Sequence, residues 1–374
     1  MNIGICCYPT HGGSGVLATE LGIALANEDH HVHIISYSVP FRLRQFHPNL
    51  FFHEVNLISY PLFKHPPYEL GLINKIAEVA KSAKLDIVHS HYAIPHAFSA
   101  YVAKQMLMPN EPKIITTLHG TDITLVGTDS SYYDLVKFSI EASDGITVVS
   151  NFLKEKTIEQ FKIQHPIEVI YNFVDTERFS PNSENHCQCY TPNKEKIIVH
   201  ISNFRPLKRL PDVIRTFAMI QKKIPSVLLL VGEGQDRNAA NDVAIQLGVQ
   251  DKVHFLGNQD YVKSILADAC LFLLTSEKES FGLVALEAMS CGVPVVGTNV
   301  EGIPEVVEHG KTGFLHRVGD IEAMAESAIR LLENTELHQQ FSRNARKVVI
   351  EKFSSKTHIS HYLQYYERIL SGKE

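Results

Sequence analysis

Short apolar segments alternate with longer amphipathic segments over most of this chain, and no other feature of the sequence constrains the fold as much. The apolar runs are typical of buried strands, and the amphipathic segments are typical of helices. A first series of predicted strands comprises NIGICC, HVHIIS, LFFHEVN, DIVHSH, KIITTLH, GITVVS and IEVIY. A second series comprises KIIVHIS, VLLLVG, VHFLG, LFLLTS, PVVGT and TGFLH. This alternation predicts an α/β fold with two Rossmann-like, doubly wound parallel-sheet domains.

The boundary between the two series is expected in a polar, turn-rich stretch of the sequence. At 374 residues the chain is too long for one ordinary domain and suits two. We predict an N-terminal domain over 1–170, a linker over 171–195 and a C-terminal domain over 196–354. Ligands bind such sheets at the carboxyl ends of strands, so functional residues are expected in the loops that follow strands.

Charge and hydropathy argue against several classes of protein. The net charge of −6 and the pI near 6.4 give no support for nucleic-acid or anionic-membrane binding, which usually shows as a basic surface. The amino terminus lacks the basic region of a signal peptide, and no apolar stretch reaches the length of a membrane span. The sequence therefore predicts a cytoplasmic protein that does not contact membranes.

The cysteines predict no metal site. Four of the six lie in apolar segments and are expected to be small buried side chains: Cys6, Cys7, Cys270 and Cys291. Cys187 and Cys189 lie in the predicted linker, where no second pair of ligands is near enough to complete a zinc site. These two are expected to be reduced thiols at the surface.

Two glutamates eight positions apart mark the strongest candidate site. Glu279 follows the predicted strand LFLLTS, and Glu287 lies one to two turns inside the next predicted helix. Backbone N–H groups near Phe281, Gly282 and Leu283 would lie at the positive end of that helix, where a phosphate is stabilised. One carboxylate at the strand end and another within reach of a ribose would suit a nucleotide-activated sugar. The alternative is a solvated loop glutamate and an unrelated helix glutamate.

A glycine-rich loop after the first strand raises a rival function. Gly13, Ser14, Gly15 and Ala18 nearly match the dinucleotide-binding pattern of a dehydrogenase. That class requires an acidic residue at the end of the second strand, where this chain has only the string SYS. A nucleotide triphosphatase loop would need Gly-Lys-Ser or Gly-Lys-Thr, which is also missing. The glycines still allow the backbone to approach a ligand closely.

Histidines follow two neighbouring strands of the first series. His89 and His91 end the fourth strand, with Tyr92 after them, and His119 ends the fifth. Alternation places His89 and His91 on the same face, so a zinc site is geometrically conceivable, but no carboxylate or thiolate completes a ligand set. A packed or hydrogen-bonded role is favoured for His89. The chain also has no Asp-x-Asp pair, so we predict neither a metal nor another cofactor.

Basic residues follow the first strand of the second series, in the string SNFRPLKR. Arg205 and Lys208 would be cations at a strand end near the two glutamates, as stabilisation of an anionic leaving group requires. Arg209 is expected to be solvated. Gly232, in the loop after the next strand, is expected near the nucleotide.

The motif SxxESFGLxxLEAMxxGxPVV resembles the donor-site signature of retaining GT-B glycosyltransferases of the glycogen-synthase-like group. The resemblance extends over nearly the whole chain, through GGSGVLATELG, HSHYAIPHA, TTLHGTDIT, YNFVDTERFSP, SNFRPLKR and VGEG. It implies two domains that face a cleft, with the segment 355–374 packing back on the first domain as a helix.

The resemblance also implies roles for residues. His119, Arg205, Lys208 and Glu279 would be catalytic. Asn203 stands where the family usually has an arginine, and we infer that Arg205 supplies that guanidinium. Donor contacts are implied for Gly13, Asn203, Gly232, Phe281, Gly282, Leu283 and Glu287. Acceptor contacts are expected from Ser14, Tyr92, Thr117, Thr121 and Asn151.

The strings of the first domain more narrowly resemble the branch of the family that acts in bacillithiol biosynthesis. Those enzymes transfer N-acetylglucosamine (GlcNAc) from UDP-GlcNAc to the hydroxyl of L-malate with retention. The implied partners are UDP-GlcNAc and L-malate, and homo-oligomerisation is left open. The alternatives are another acceptor (an inositol phosphate or a polysaccharide end), a nucleotide-sugar binder without activity, or the dehydrogenase.

Overall fold

The computed structural model describes residues 1–10, 12–43, 46–57, 64–181 and 187–372. The chain divides into two compact units. The first unit contains residues 1–172 and 356–374, and the second contains residues 173–355.

A parallel sheet forms the centre of the first unit. Its strands in the described residues are β1 (Asn2–Cys6), β2 (His31–Ser36), β3 (Leu50–Glu54), β4 (Ile87–His91), β5 (Lys113–Leu118), β6 (Gly145–Val148) and β7 (Ile167–Val169). Their order is β3-β2-β1-β4-β5-β6-β7, and neighbouring strands are parallel throughout. The predicted strands of the first series are all present. The direction of the connections changes between β1 and β4, and folds of this kind bind ligands in the crevice at such a point, beside the loops that follow these strands.

Helices connect these strands. They are α1 (Gly13–Asn27), α2 (Tyr68–Ala83), α3 (Phe98–Leu107), α4 (Thr121–Thr124), α5 (Tyr133–Glu141) and α6 (Asn151–Phe161). The apolar stripe of α2 shows why the sequence forms these helices. Leu72, Ile76 and Val79 recur at the spacing of one helix face and are fully buried against the sheet and α3.

The second unit repeats this architecture. Its strands are β8 (Lys196–Ile201), β9 (Ser226–Val231), β10 (Val253–Gly257), β11 (Leu271–Leu274), β12 (Val295–Thr298) and β13 (Gly313–His316). The order is β10-β9-β8-β11-β12-β13, again parallel, with the change of direction between β8 and β11. Its helices are α7 (Leu210–Gln221), α8 (Arg237–Gln246), α9 (Val262–Asp268), α10 (Leu283–Ser290), α11 (Ile303–Val306), α12 (Ile321–Glu333) and α13 (Thr335–Lys352). The α/β class with two doubly wound parallel sheets is therefore confirmed.

The last helix, α14 (Ser355–Ser371), belongs to the first unit. Tyr362 and Tyr366 are fully buried there, and the Tyr366 hydroxyl lies 2.7 Å from Nδ1 of His89. The Tyr365 hydroxyl donates to the carbonyl of Ile146 at 3.2 Å. Aromatic side chains of α14 thus complete the core beneath β4 and β6.

The segment before β8 packs on the second unit. The Arg346 guanidinium donates to the carbonyl oxygens of Thr176, Phe179 and Ser290. Cys187 was expected at the surface, and this expectation is wrong. Its side chain is buried, its N–H donates to Asp268 at 2.8 Å, and burial raises the pKa of its thiol to about 12. Cys189 is exposed as expected.

Among the described helices, none combines the length and the apolar character that are needed to cross a bilayer.

Candidate functional site

The loops after β8 and β11, at the change of direction in the second sheet, bring Lys208 and Glu279 together. The Lys208 ammonium donates to the Glu279 carboxylate at 2.5 Å, and the two side chains keep 16% and 20% of their surface exposed. The backbones of the two loops are also joined, because the N–H of Glu277 donates to the carbonyl of Leu207 at 2.7 Å. Because this ion pair is partly exposed, Lys208 can release Glu279 and bind an anionic ligand instead.

A second cation, Arg205, lies three residues before Lys208 in the chain. Arg205 is exposed and forms an ion pair with no carboxylate in the described part of the chain. Arg209 was expected to be a solvated side chain, but it is ion-paired and only 34% exposed. It bonds Asp212 at 2.6 Å and lies 3.7 Å from Glu277. Arg205 is therefore the cation of this loop that no carboxylate of the described residues neutralises.

The amino terminus of α10 follows the same loop. Gly282 has a φ of 93°, and a Cβ atom there would lie 2.7 Å from Cδ1 of Ile303. The Phe281 ring is buried and meets the Phe353 ring edge to face, so its backbone is the part that a ligand could contact. Leu283 is the first helical residue. The first N–H groups of a helix have no partner within it, so this end of α10 is suited to an anion.

Glu287 lies further along α10, where its side chain is only 4% exposed. Its carboxylate adds to the effect of burial in raising the pKa of the Cys291 thiol to about 12. Little of the Glu287 side chain is open to a ligand.

In the first unit, His89 is both packed and hydrogen-bonded, which confirms the prediction made for it. His89 is fully buried, with Nδ1 on the Tyr366 hydroxyl and Nε2 on the Thr117 hydroxyl, both at 2.7 Å. Thr117 is itself fully buried and also bonds Thr147. What Thr117 offers to the loops is its carbonyl oxygen, which accepts the N–H of Tyr92 at 3.0 Å.

His119 forms a pair with His91. Nδ1 of His91 lies 2.9 Å from Nε2 of His119. Burial lowers the pKa of His119 to about 3 and that of His91 well below its usual value, so both rings are neutral at pH 7. The backbone around His119 is held by Asp122, which accepts the N–H groups of Gly120 at 2.9 Å and of His119 at 3.3 Å. Burial raises the pKa of Asp122 to about 6.

Ser14 and Tyr92 meet beside this pair. The Ser14 hydroxyl donates to the Tyr92 hydroxyl at 3.1 Å, and the Tyr92 and His119 ring centres are 5.4 Å apart. Thr121 begins α4 two residues after His119. Asn151 begins α6, is exposed, and donates to the Tyr171 hydroxyl at 2.6 Å.

Comparison with known proteins decides the family. The family model described as Glycosyltransferase Family 4 matches residues 11–178, and that described as Glycosyl transferases group 1 matches residues 183–348. A Bacillus anthracis protein named N-acetyl-alpha-D-glucosaminyl L-malate synthase is 48% identical over 372 residues, which cover 99% of this chain and 97% of the relative. The chain belongs to the GT-B glycosyltransferases.

Other relatives and solved structures are similar to this glycosyltransferase. D-inositol 3-phosphate glycosyltransferase of Saccharomonospora viridis is 32% identical over 46% of this chain and 44% of the relative. Sucrose-phosphate synthase from Thermosynechococcus elongatus has a TM-score of 0.83 at 21% identity, with all of both chains covered. Anabaena HepE in complex with UDP and glucose has a TM-score of 0.82 at 20% identity, over 98% of this chain and 99% of that one. The two structural likenesses show the fold.

The glycosyltransferase has one feature at this site that the sequence did not reveal. Glu301, in the loop after β12, accepts the N–H of Glu279 at 2.7 Å, and the N–H of Gly302 donates to the carbonyl of Glu279 at 3.1 Å. Glu301 has a φ of 46°, a left-handed conformation that costs a residue with a side chain about 1 kcal/mol. Burial raises the pKa of its carboxyl. The sequence gave no signal for this contact, because only the sheet order makes β12 the neighbour of β11.

Two glycines that follow strands of the glycosyltransferase, Gly232 in a loop and Gly15 in the first turn of α1, are required by close packing. A Cβ atom at Gly232, whose φ is 119°, would lie 1.8 Å from the carbonyl oxygen of Ser202. At Gly15 a Cβ atom would lie 2.4 Å from the carbonyl oxygen of Tyr8, whereas at Gly13 it would meet no atom of the described residues within 4 Å. Gly15 is therefore the residue that packs closely, and Gly13 faces open space.

Within the residues that the structure describes, no group of three or more His, Cys, Asp or Glu side chains is arranged to hold a metal ion.

Proposed function

We propose that this glycosyltransferase transfers N-acetylglucosamine from UDP-GlcNAc to the hydroxyl of L-malate, with retention at the anomeric carbon, as a step of bacillithiol biosynthesis. The observation that carries the proposal is the 48% identity to the Bacillus anthracis protein named for this product, over 99% of the chain. The compared region covers 99% of this chain, so it extends through both units.

The second unit is proposed to bind the donor. Arg205 and Lys208, in the loop after β8, would supply positive charge to a diphosphate bound at the amino terminus of α10. The Glu279 side chain is bonded to Lys208, and its backbone N–H is bonded to Glu301. Its carboxylate would accept hydrogen bonds from hydroxyl groups of the sugar. Glu287 would meet the ribose with the small part of its surface that is exposed, and Asn203, Gly232 and the backbone of 281–283 would surround the nucleotide.

The first unit is proposed to bind the acceptor. Ser14 and Thr121 lie in the first turns of the helices that follow β1 and β5, Tyr92 directly follows β4, and each carries a hydroxyl that can donate to a carboxylate. Thr117 would act through its carbonyl oxygen, which holds the backbone of Tyr92. Asn151 would contribute from the start of α6, His119 would donate to the transferred sugar, and Gly13 would leave room for the diphosphate.

The proposed chemistry is a displacement on the face that the leaving group vacates. The bond between the sugar C1 and the phosphate oxygen breaks, the bond between C1 and the malate oxygen forms, and the malate hydroxyl proton passes to the departing phosphate. The protein then has to orient the substrates and neutralise the diphosphate, which matches fixed cations and helix N–H groups. Glu279 would orient the sugar and would not attack C1.

Release of UDP tests this proposal. The purified enzyme is given UDP-GlcNAc with L-malate, D-malate, an inositol phosphate or water. We expect fast release with L-malate, and an α-configured product by the H1–H2 coupling in its proton spectrum. Fast release with an inositol phosphate and none with L-malate would reject the acceptor, and a β product would reject retention.

A further inference from the structure

In the pair formed by His91 and His119, one ring nitrogen of His91 is buried without a hydrogen-bond partner among the described residues. His91 is fully buried on β4, and its Nε2 has no hydrogen-bond partner among the described residues. Its other nitrogen, Nδ1, lies 2.9 Å from Nε2 of His119. His119 is partly exposed, and its Nδ1 bonds no described residue. The two rings therefore form a short chain from the core to the surface.

Two neutral imidazoles that share one hydrogen bond have two arrangements. In the first, His91 donates through Nδ1–H, and His119 accepts at Nε2 and carries its own proton on Nδ1. In the second, His119 donates through Nε2–H, and His91 carries its proton on the buried Nε2. The second arrangement leaves an N–H group in the core without an acceptor, and orphaned buried N–H groups are rarer than under-used acceptors. The first arrangement leaves only an unused lone pair there.

We propose that His91 is a positioning residue, which holds His119 in the tautomer that carries its proton on Nδ1 and so makes it a hydrogen-bond donor to a substrate oxygen. This inference rests on the proposed function for the contact between His119 and the sugar. It gives the two histidines separate tasks. His91 fixes the proton from inside the core, and His119 presents it at the surface.

The surroundings favour a fixed donor over a mobile base. Asp122 holds the backbone N–H groups of His119 and Gly120, so the ring is oriented from its main chain as well as from His91. A nitrogen that already carries a proton cannot take one from the acceptor hydroxyl. The proton of the acceptor hydroxyl therefore does not pass to His119. It leaves with the diphosphate, as in the proposed displacement.

Three variants test the inference. His91→Leu removes the donor to His119. His91→Asn restores an N–H group close to the position of Nδ1, because the side-chain amide of asparagine overlaps that part of an imidazole. His33→Leu is the matched control, since Nδ1 of His33 lies 2.9 Å from Nε2 of His53 in the same geometry, within the first unit but on β2 and β3.

The first measurement is the nitrogen-15 spectrum of labelled enzyme without substrate, in which long-range proton couplings distinguish the two tautomers. His119 is expected to carry its proton on Nδ1 in the parent enzyme and in His91→Asn, and to show a mixture in His91→Leu. A proton on Nε2 of His119 in the parent enzyme would overturn the proposal. Because no substrate is present, this result is independent of whether malate is the acceptor.

The second measurement is kinetic. We expect kcat to fall about tenfold in His91→Leu, as for the loss of one oriented hydrogen bond, with the affinity for UDP unchanged. His91→Asn should recover most of that loss, and His33→Leu should keep the parent kcat even if its melting temperature falls. A loss of kcat in both His91 variants and in the control, in proportion to their loss of stability, would contradict a role through His119.

Discussion

At the scale of single residues, the cations of the loop after β8 differ in whether a carboxylate of the described residues neutralises them. Lys208 is bonded to Glu279, while Arg205 is exposed and pairs with no carboxylate in the described ranges. An exposed arginine without a protein partner contributes little to stability, so its loss should be felt almost entirely in ligand binding.

We therefore expect Arg205→Ala to weaken UDP binding by about ten- to a hundredfold, the value of a charge-assisted hydrogen bond. The melting temperature should stay at that of the parent enzyme. Titration calorimetry with UDP measures the first effect, and Arg215→Ala, whose arginine is bonded to Asp212, controls for the change of net charge. Equal UDP affinity in both variants would remove Arg205 from the donor site.

Two hydroxyl groups in the first unit are expected to act together. Because Ser14 donates to Tyr92 at 3.1 Å, Ser14→Ala and Tyr92→Phe each remove part of the same hydrogen-bonded group. Each should raise the malate KM about ten- to a hundredfold, and the double variant should be hardly worse than either single one. Malate KM, UDP affinity and melting temperature are measured for all three. A lower melting temperature with unchanged malate KM would mean that the pair only supports the loop.

At the scale of elements, the amino terminus of α10 depends on a glycine, and the chain provides a second glycine for comparison. Gly282 and Gly248 both have left-handed φ angles, 93° and 69°. A Cβ atom at Gly282 would lie 2.7 Å from Ile303, whereas at Gly248 it would meet nothing within 4 Å. The two positions thus share the conformational strain and differ in crowding and in their distance from the proposed donor site.

Gly248→Ala should lower the free energy of unfolding by about 1 kcal/mol through the strain alone. Gly282→Ala should lower it further and should also weaken UDP binding, because the displaced loop moves the first N–H groups of α10. Urea titration and UDP calorimetry measure the two effects. If UDP affinity falls equally in both variants, or in neither, the helix terminus does not bind the diphosphate.

At the scale of the whole molecule, both units build their candidate residues into the same kind of place. Each sheet reverses the direction of its connections once, between β1 and β4 in the first unit and between β8 and β11 in the second. The loops at these points contain Ser14 and Tyr92 in one unit, and Lys208 and Glu279 in the other. The interior of the molecule is also rich in histidines that are neutral because they are buried.

These histidines predict how stability depends on pH. Burial is the main cause that lowers the pKa to about 3 or 4 in His33, His89, His96, His119, His200 and His358. The unfolded chain titrates near pH 6.5, so between pH 6.5 and 4 it binds protons that the folded chain does not. The contribution of these histidines to the free energy of unfolding is therefore fully present above pH 6.5. It decreases as the pH falls, by at most about 1.4 kcal/mol per pH unit for each histidine.

Asp122 and Glu301 have the opposite sign, since a raised carboxyl pKa favours the folded state as the pH falls, but they are two groups against six histidines. Melting temperatures between pH 8 and 4 test the balance. We expect a plateau above pH 7 and a steep fall below pH 6. A melting temperature that stays level down to pH 4 would show that the histidines titrate normally in the folded protein.

The sequence by itself determined the elements and the loops in which function is expected. Apolar period and turn residues are local properties, so they were enough to predict the strands of both sheets and the positions of Glu279 and His119 at strand ends. A glycine before α10 could be predicted for the same reason, since the requirement for a left-handed residue arises within the loop.

Only the tertiary structure decided which side chains meet. Tyr366 and His89 are 277 residues apart in the chain and are joined because α14 packs beneath β4. Glu301 reaches Glu279 because β12 lies beside β11, and Arg209 is paired and Cys187 buried because of what distant segments place next to them. Strand order and the packing of the last helix depend on the burial of the whole core. Local sequence patterns carry no record of that burial, so the partners of the site residues had to come from the fold.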